Sequence, residues 1–286
     1  SAYWFENRVG SDPSNPERSW ERHAIGALAK RDLGGEVIDV DGDGATDLVL
    51  GGYWYRNPGD PATSTFERYR FDDRLEEEIH DVVAADVAGD ARKELVVLGD
   101  GDGCFWYRIP EEPARSENWP RTTITRAVLD GRDDIHSGPF PEGIADLDGD
   151  GDADLVMPDR WYENRDDGSE WIAHELPFGS RGPWGLSVRS WIEDMNGDGA
   201  PDIVMVDSDQ TASTAAWLES DGGSPPTFTP HELPTSAAGT RGSFHSLHVA
   251  DFDGDGDPDI FTVEQEDTQI APEGASPRWY VWEHIG

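Results

Sequence analysis

Four stretches of this 286-residue chain obey one rule, D-x-[DN]-x-D-G-x-x-D: "DVDGDGATD" at 39–47, "DLDGDGDAD" at 146–154, "DMNGDGAPD" at 194–202 and "DFDGDGDPD" at 251–259. A fifth, degenerate copy, "DVAGDARKE", stands at 86–94. Each copy crowds carboxylates into one turn, and its sixth-position glycine lets the backbone bend where a side chain would resist. After each copy comes a short apolar run: "LVLGG" at 48–52, "LVVLG" at 95–99, "LVMPD" at 155–159, "IVMVD" at 203–207 and "IFTVE" at 260–264. Such β-branched runs, bounded by Gly, Pro or Asp, read as buried strands. The acidic turn is therefore a strand-to-strand link at a fixed place in a repeating unit.

The first aspartates fall at 39, 86, 146, 194 and 251, so the unit repeats at intervals of 47 to 60 residues. Within each unit the apolar run is followed by an aromatic strand: "YWYRN" (53–57), "FWYRI" (105–109), "RWYEN" (160–164), "AWLES" (216–220) and "RWYVWEH" (278–284). A last strand is typified by "WIAHEL" (171–176) and "FTPHEL" (228–233), and one more precedes each loop, as in "GEVIDV" (35–40) or "LHVADF" (247–252). Four short strands per unit, repeated without a convincing amphipathic helix, predict an all-β fold, a β-propeller of four-stranded blades. Five motif-bearing blades are expected around 33–75, 80–128, 140–178, 187–233 and 245–286, in a single domain spanning 1–286. A β-sandwich would not explain a four-strand repeat copied five times. "YWFEN" (3–7) and "WERHAIG" (20–26) match the third and fourth strands of a blade, so residues 1–26 are read as outer strands closing or belonging to a terminal blade. The simplest closure lends the strand around Trp20 to the last blade. A piece of a larger propeller is the alternative.

Oxygen donors at positions 1, 3, 5 and 9 suit calcium, which takes six to eight hard oxygen ligands, a backbone carbonyl at position 7 included. The expected ligands are Asp39, Asp41, Asp43 and Asp47; Asp146, Asp148, Asp150 and Asp154; Asp194, Asn196, Asp198 and Asp202; and Asp251, Asp253, Asp255 and Asp259. This makes about four Ca²⁺ sites. In the degenerate copy Ala88 replaces a ligand, Ala91 replaces the glycine and Glu94 stands ninth, so an empty or weak site is expected there. EF-hands are excluded, because they need a Glu at position 12, where this chain has Leu50, Met157, Met205 and Thr262. Three or four carboxylates in one turn repel each other until a cation neutralises them, which couples the ion to folding.

These motifs resemble the FG-GAP/VCBS repeats of calcium-loaded β-propellers, such as integrin α-subunit heads and certain fungal lectins. The resemblance covers nearly the whole chain and implies a binding module for carbohydrate or protein. The runs "WYRNPGD" and "IHDVVAADVAGD" also look like the propeller portions of aldos-2-ulose dehydratase and some polysaccharide lyases, which implies an alternative: a sugar-directed β-elimination.

With 60 acidic and 22 basic residues the formal charge is −38, which repels nucleic acid and anionic lipid. Lys30 and Lys93 are the only lysines. Strong acidity with almost no lysine is similar to the composition of salt-accumulating halophiles, where the Debye length falls to about 3 Å at 1 M salt. No apolar run is long enough to span a membrane. Cys104 stands alone, so no intramolecular disulfide framework exists. An extracellular or cell-surface location is expected, with a high-salt cytoplasm as the alternative.

The histidines divide by register. His23, His174 and His231 share one slot of the fourth strand, and His284 fills the slot of Asn7 and Asn164, so these four read as scaffold. His80, His136, His245 and His248 break the register, in segments that lead into a metal loop. Glu142, Arg189 and Trp184 come from comparable places. Gathered at a channel mouth, these groups can bind a second, transition metal, move protons or grip a sugar, with Trp184 as a ligand platform. In the β-elimination alternative His80, His245 or His248 is metal ligand or base, and Arg189 neutralises a carboxylate or enolate. No Ser/His/Asp signature, phosphate loop or HExxH is present, which argues against kinases, Rossmann oxidoreductases and zincin proteases.

Overall fold

The computed structural model describes residues 2–8, 20–27, 34–75, 79–99, 103–126, 135–179, 181–182, 185–209, 213–234, 243–265 and 278–284. The fold is a five-bladed β-propeller. Blade one is β3 (Gly35–Ile38), β4 (Asp47–Leu50), β5 (Tyr53–Arg56) and β6 (Glu67–Arg70), and blade two is β7 (Ile79–Ala85), β8 (Glu94–Gly99), β9 (Gly103–Tyr107) and β10 (Arg121–Thr125). Short β11 (Ile135–Ser137) and β12 (Pro141–Glu142) precede blade three, which is β13 (Ile144–Ala145), β14 (Asp154–Met157), β15 (Arg160–Arg165) and β16 (Glu170–Glu175). Blade four holds β18 (Gly185–Glu193), β19 (Asp202–Asp207), β20 (Ala215–Ser220) and β21 (Phe228–Glu232), with β17 (Arg181–Gly182) on its first strand. Blade five shows β22 (Ser243–Ala250), β23 (Asp259–Gln265) and β24 (Trp279–Trp282).

The four strands of a blade run as an antiparallel meander that begins with its first strand, and in blade four the short β11 and β12 add in parallel to the far side of that strand. These first strands meet in chain order: β3 touches β7, β7 touches β13, β13 touches β18 and β18 touches β22. They form the inner wall. Four apolar layers fill the spaces between the five sheets. Trp54, Phe71 and Trp119 pack with Leu95 and Phe105 between the first two blades, and Trp161, Leu147 and Leu176 pack with Val188 and Ile203 between the third and fourth. Burial of large aromatic and branched side chains on both faces of a sheet is what makes these strands read as continuous apolar runs.

β1 (Ala2–Asn7) and β2 (Trp20–Gly26) pair with each other, Trp4 opposite His23. The strand around Trp20 is therefore joined to β1 and not, among the described residues, to β24, in contrast to the simplest closure. The pair lies against blade one, where Ala27 accepts hydrogen bonds from Tyr55 and Arg68 through its carbonyl.

Three of the four scaffold histidines share one set of contacts, as their common slot implies. His23, His174 and His231 stack on Trp4, Trp161 and Trp217 at 4.4, 4.4 and 4.6 Å between ring centroids. Each also meets a glutamate of the neighbouring strand: Glu6 at 3.1 Å, Glu163 at 2.7 Å and Glu219 at 2.7 Å.

The ninth residue of each loop ties the blade together. Asp47, Asp154, Asp202 and Asp259 are at most 2% exposed. One oxygen of each accepts the N–H of the loop's second residue: Val40, Leu147, Met195 and Phe252, at 2.8 to 3.1 Å. The other oxygen accepts the N–H at the end of the third strand: Asn57, Asn164, Ser220 and His284, at 2.7 to 2.9 Å. Glu94 does the first half of this in blade two, accepting from Val87 and Ala88. Removing such an acceptor leaves buried N–H groups unsatisfied, at about 1–3 kcal/mol each. In urea unfolding carried out with chelator present, Asp202→Ala is therefore expected to lose about 3 kcal/mol, and Asp198→Ala on the exposed part of the same loop less than about 1 kcal/mol. Equal losses would contradict the tie.

Candidate functional sites: the acidic loops and an axial histidine–arginine pocket

The four complete loops share one backbone. The first aspartate turns both oxygens onto the loop's own N–H groups: Asp39 accepts from Gly42, Asp43 and Gly44 at 2.8, 3.2 and 2.9 Å, and Asp251 accepts from Gly254, Asp255 and Gly256 at 2.7, 3.2 and 3.1 Å. Asp146 and Asp194 repeat the pattern. The sixth-position glycines adopt φ between +86° and +101°. The degenerate loop keeps this shape, for Asp86 accepts from Asp90 and Ala91, and Ala91 is forced to φ +66°, a conformation costly for a residue with a Cβ.

Carboxylate oxygens converge in three of these loops. Asp39, Asp41 and Asp43 present oxygens within 4.8 Å of one another, as do Asp251, Asp253 and Asp255. In blade three two such groups overlap, Asp146–Asp148–Asp154 and Asp148–Asp150–Glu163. In blade four Asn196 donates to Asp198 at 3.0 Å and stands 3.4 Å from Glu219. An all-oxygen donor set fits a hard divalent cation, and Asp41 Oδ1, buried yet accepting no hydrogen bond, is an oxygen still open to one. Burial pushes the carboxyl of Asp154 up to about 7, the Asn164 and Leu147 N–H groups working against this and Asp148 and Asp150 adding to it.

One feature of the loops escapes the motif. Arg56 sets its Nε 2.6 Å from Asp41 and Nη2 3.2 Å from Asp43, and Arg108 sits 3.0 Å from Asp90. The same strand position holds Glu163 in blade three and Glu219 in blade four. The first two loops thus carry a guanidinium of their own, while the next two gain a further carboxylate.

The register-breaking residues separate into two groups. His80 on β7, His136 on β11, Arg189 on β18 and His245 on β22 meet at the N-terminal ends of the inner strands, around a cavity of about 340 Å³ that Gly34, Asp81 and Phe140 complete. The acidic loops leave the opposite ends of those strands. The His80 and His136 rings lie 3.8 Å apart between centroids. His136 reaches this place because β11 pairs in parallel with β18, Ile135 beside Leu186 and Ser137 beside Ser187, an insertion that no alternation pattern announces. His248 does not join them. It stands exposed, edge-on to Trp191 at 4.9 Å, with Glu142 on β12 paired beside Trp191 and also exposed. Trp184 lies outside the described residues.

Two aspartates that the sequence did not single out organise the pocket. Asp209 accepts from His245 Nε2 at 2.8 Å and Ser187 Oγ at 2.8 Å, with His136 Nε2 at 3.9 Å. Its backbone is held at φ +56°, a strained conformation that surrounding contacts must impose. Burial would raise the Asp209 carboxyl, but the hydrogen bonds and charges of His245, Ser187 and His136 outweigh it and hold the group at about 2. Asp81, fully buried, takes the Gly138 N–H at 2.7 Å and lies 3.9 Å from Arg189 Nη1. Burial pushes its carboxyl up, opposed by Arg189 and the Gly138 and Phe140 backbone.

The FG-GAP-like repeat family matches residues 39–97 and 194–262, two spans that each begin at the first aspartate of an acidic loop. These two spans, together less than half of the chain, are FG-GAP-like repeats. Among solved structures, the chain is similar to the crystal structure of the V. cholerae biofilm matrix protein Bap1, at 17% identity over 68% of this chain and 27% of that one, with a TM-score of 0.39. It thus spans about a quarter of that protein. No curated protein matches its sequence.

A carboxylate held below its unfolded value, about 3.9, stabilises the fold above that pH and loses the contribution as pH falls through its folded value. Ionised Asp209 is thus expected to contribute roughly 2 kcal/mol near neutrality. Denaturation of wild type and Asp209→Asn at pH 6 and at about pH 2.5 should show a gap that narrows with acid, and a constant gap would contradict this.

Proposed function

We propose that this FG-GAP propeller is a calcium-stabilised binding module, acting outside the cell or at its surface, that takes a carbohydrate or protein ligand at the axial pocket. The observation that carries this reading is the convergence of three histidines, Arg189 and Asp81 from β7, β11, β18 and β22 on one cavity, with Asp209 from the segment after β19 holding His245. Groups from separate blades meet there at the end of the inner wall away from the acidic loops. A concave site with a few convergent polar groups on a rigid scaffold suits recognition.

In this reading calcium belongs to the scaffold. Bound calcium would supply positive charge to the crowded carboxylates of each loop. Asp39, Asp41 and Asp43, Asp146, Asp148 and Asp150, Asp194, Asn196 and Asp198, and Asp251, Asp253 and Asp255 would hold it, with the buried Asp47, Asp154, Asp202 and Asp259 closing the sites from beneath. Glu163 and Glu219 strengthen the demand for a cation in blades three and four, and Arg56 relieves it in blade one. The acidic, lysine-poor surface suits a high-salt setting.

A second reading, a β-eliminating sugar lyase or dehydratase, is favoured by one observation: His245, oriented by Asp209 at 2.8 Å, shares the cavity with Arg189, as a base and an anion-stabilising group would. Incubation with uronate-containing polysaccharides separates the two. The binding module is expected to retain them on an affinity column and release no unsaturated product; ultraviolet absorbance growing with time would establish the lyase instead.

The calcium role has its own test. One site filled at 100 times its dissociation constant adds about 2.7 kcal/mol, and each kcal/mol moves the melting temperature of a chain this size by about 2–4 °C. Chelation is expected to lower the melting temperature by at least about 5 °C and added calcium to restore it. An unchanged melt in chelator would remove calcium from the account.

A further inference from the structure

We infer that the axial pocket recognises a single carboxylate on a polar ring, the group a uronic acid residue presents, with Arg189 as its anchor. This rests on the proposal that the pocket is the binding site and names the chemistry of what enters it.

Arg189 is 7% exposed, so its guanidinium is largely removed from water. Its hydrogen bonds to the protein are made by Nη1, to Ser137 Oγ and to the Val188 carbonyl at 3.2 Å. Nε is buried and donates to no acceptor among the described residues. A buried, unsatisfied N–H on a cation is costly, and native proteins rarely leave one without a ligand or water to accept it. Arg189 is also one of the residues that line the cavity. The Nε side of an arginine is half of the planar fork that takes a carboxylate through two parallel hydrogen bonds, so the orphaned donor has a natural occupant.

The aspartates of the wall do not fill that role. Asp209 is committed to His245 and Ser187, and Asp81 turns one oxygen to Gly138 and stands 3.9 Å from the opposite nitrogen, Nη1. Both balance charge without reaching Nε.

The remaining lining chooses the body of the ligand. The Phe140 ring, 5.8 Å from the guanidinium carbon, gives an apolar surface for the C–H face of a sugar. The rings of His80, His136 and His245 make the rest of the lining polar, as a hydroxyl-bearing ring requires. A cavity of about 340 Å³ has room for a sugar ring. The net charge of −38 opposes polyanions and acidic peptides at long range, so a ligand with one carboxylate at a chain end fits better than a polyuronate stretch.

Isothermal titration of the full chain in calcium, with D-glucuronate, D-glucose and acetate as probes, tests this. Glucuronate is expected to bind at least about 10-fold more tightly than glucose or acetate. Arg189→Lys keeps the charge beside Asp81 but removes the fork, and is expected to weaken glucuronate about 10-fold while leaving glucose unchanged. His248→Gln, away from the pocket, should match wild type. Melting curves establish that each variant is folded; if Arg189→Lys is not, the glucuronate-to-glucose ratio of the wild-type protein decides. Equal affinity for glucuronate and glucose would overturn carboxylate recognition and leave the pocket as a sugar site. Unchanged glucuronate binding by a folded Arg189→Lys would overturn Arg189 as the anchor. Binding of neither monosaccharide, with retention of polysaccharide on the column intact, would overturn the inference and place recognition elsewhere on the module.

Discussion

The buried aspartate that closes each acidic loop is the interaction on which the architecture depends. Its two oxygens join the loop's second residue to the end of the third strand, so one side chain fixes the link between first and second strands and the outer half of the same blade. A carboxylate can do this in an apolar setting because each oxygen accepts more than one hydrogen bond, and charge-assisted bonds are stronger than neutral ones. The first aspartate of the loop repeats the device on a smaller scale by turning its oxygens to the loop's own N–H groups. Two of the four motif carboxylates are thus structural before any cation is considered.

That arrangement explains why the fold was so legible in the sequence and why the site was less so. Period, strand order and sheet content follow from a motif whose spacing is set by the tie itself. The scaffold histidines were legible too, because each recurs with its tryptophan and glutamate in register. Spacing marks the ninth-position residues as cation ligands but does not reveal which of their oxygens the backbone occupies. Arg56 and Glu163 share one strand position yet act oppositely on their loops, and only three-dimensional contact shows which carboxylates they meet.

The pocket depends on what breaks the repeat. His136 is delivered by a parallel strand inserted beside blade four, Asp209 by a residue at φ +56°, and neither obeys a period. Of the four register-breaking histidines three converge, while His248, three residues along β22 from His245, is carried away from the pocket. Position along the inner wall, not mere departure from register, separates them. A scaffold whose blades are tied by buried carboxylates leaves the end of its inner strands free to vary, and there one guanidinium and three imidazoles collect within a strongly acidic molecule.

We propose that the acidic loops, and not the axial histidines, bear the calcium. A crystal structure of the protein grown in calcium, with anomalous differences collected, tests it most directly. The account predicts an anomalous peak among Asp146, Asp148 and Asp150 in blade three, and none between His80, His136 and His245. A blade-three loop without a peak at saturating calcium, or a peak among the histidines, would contradict it.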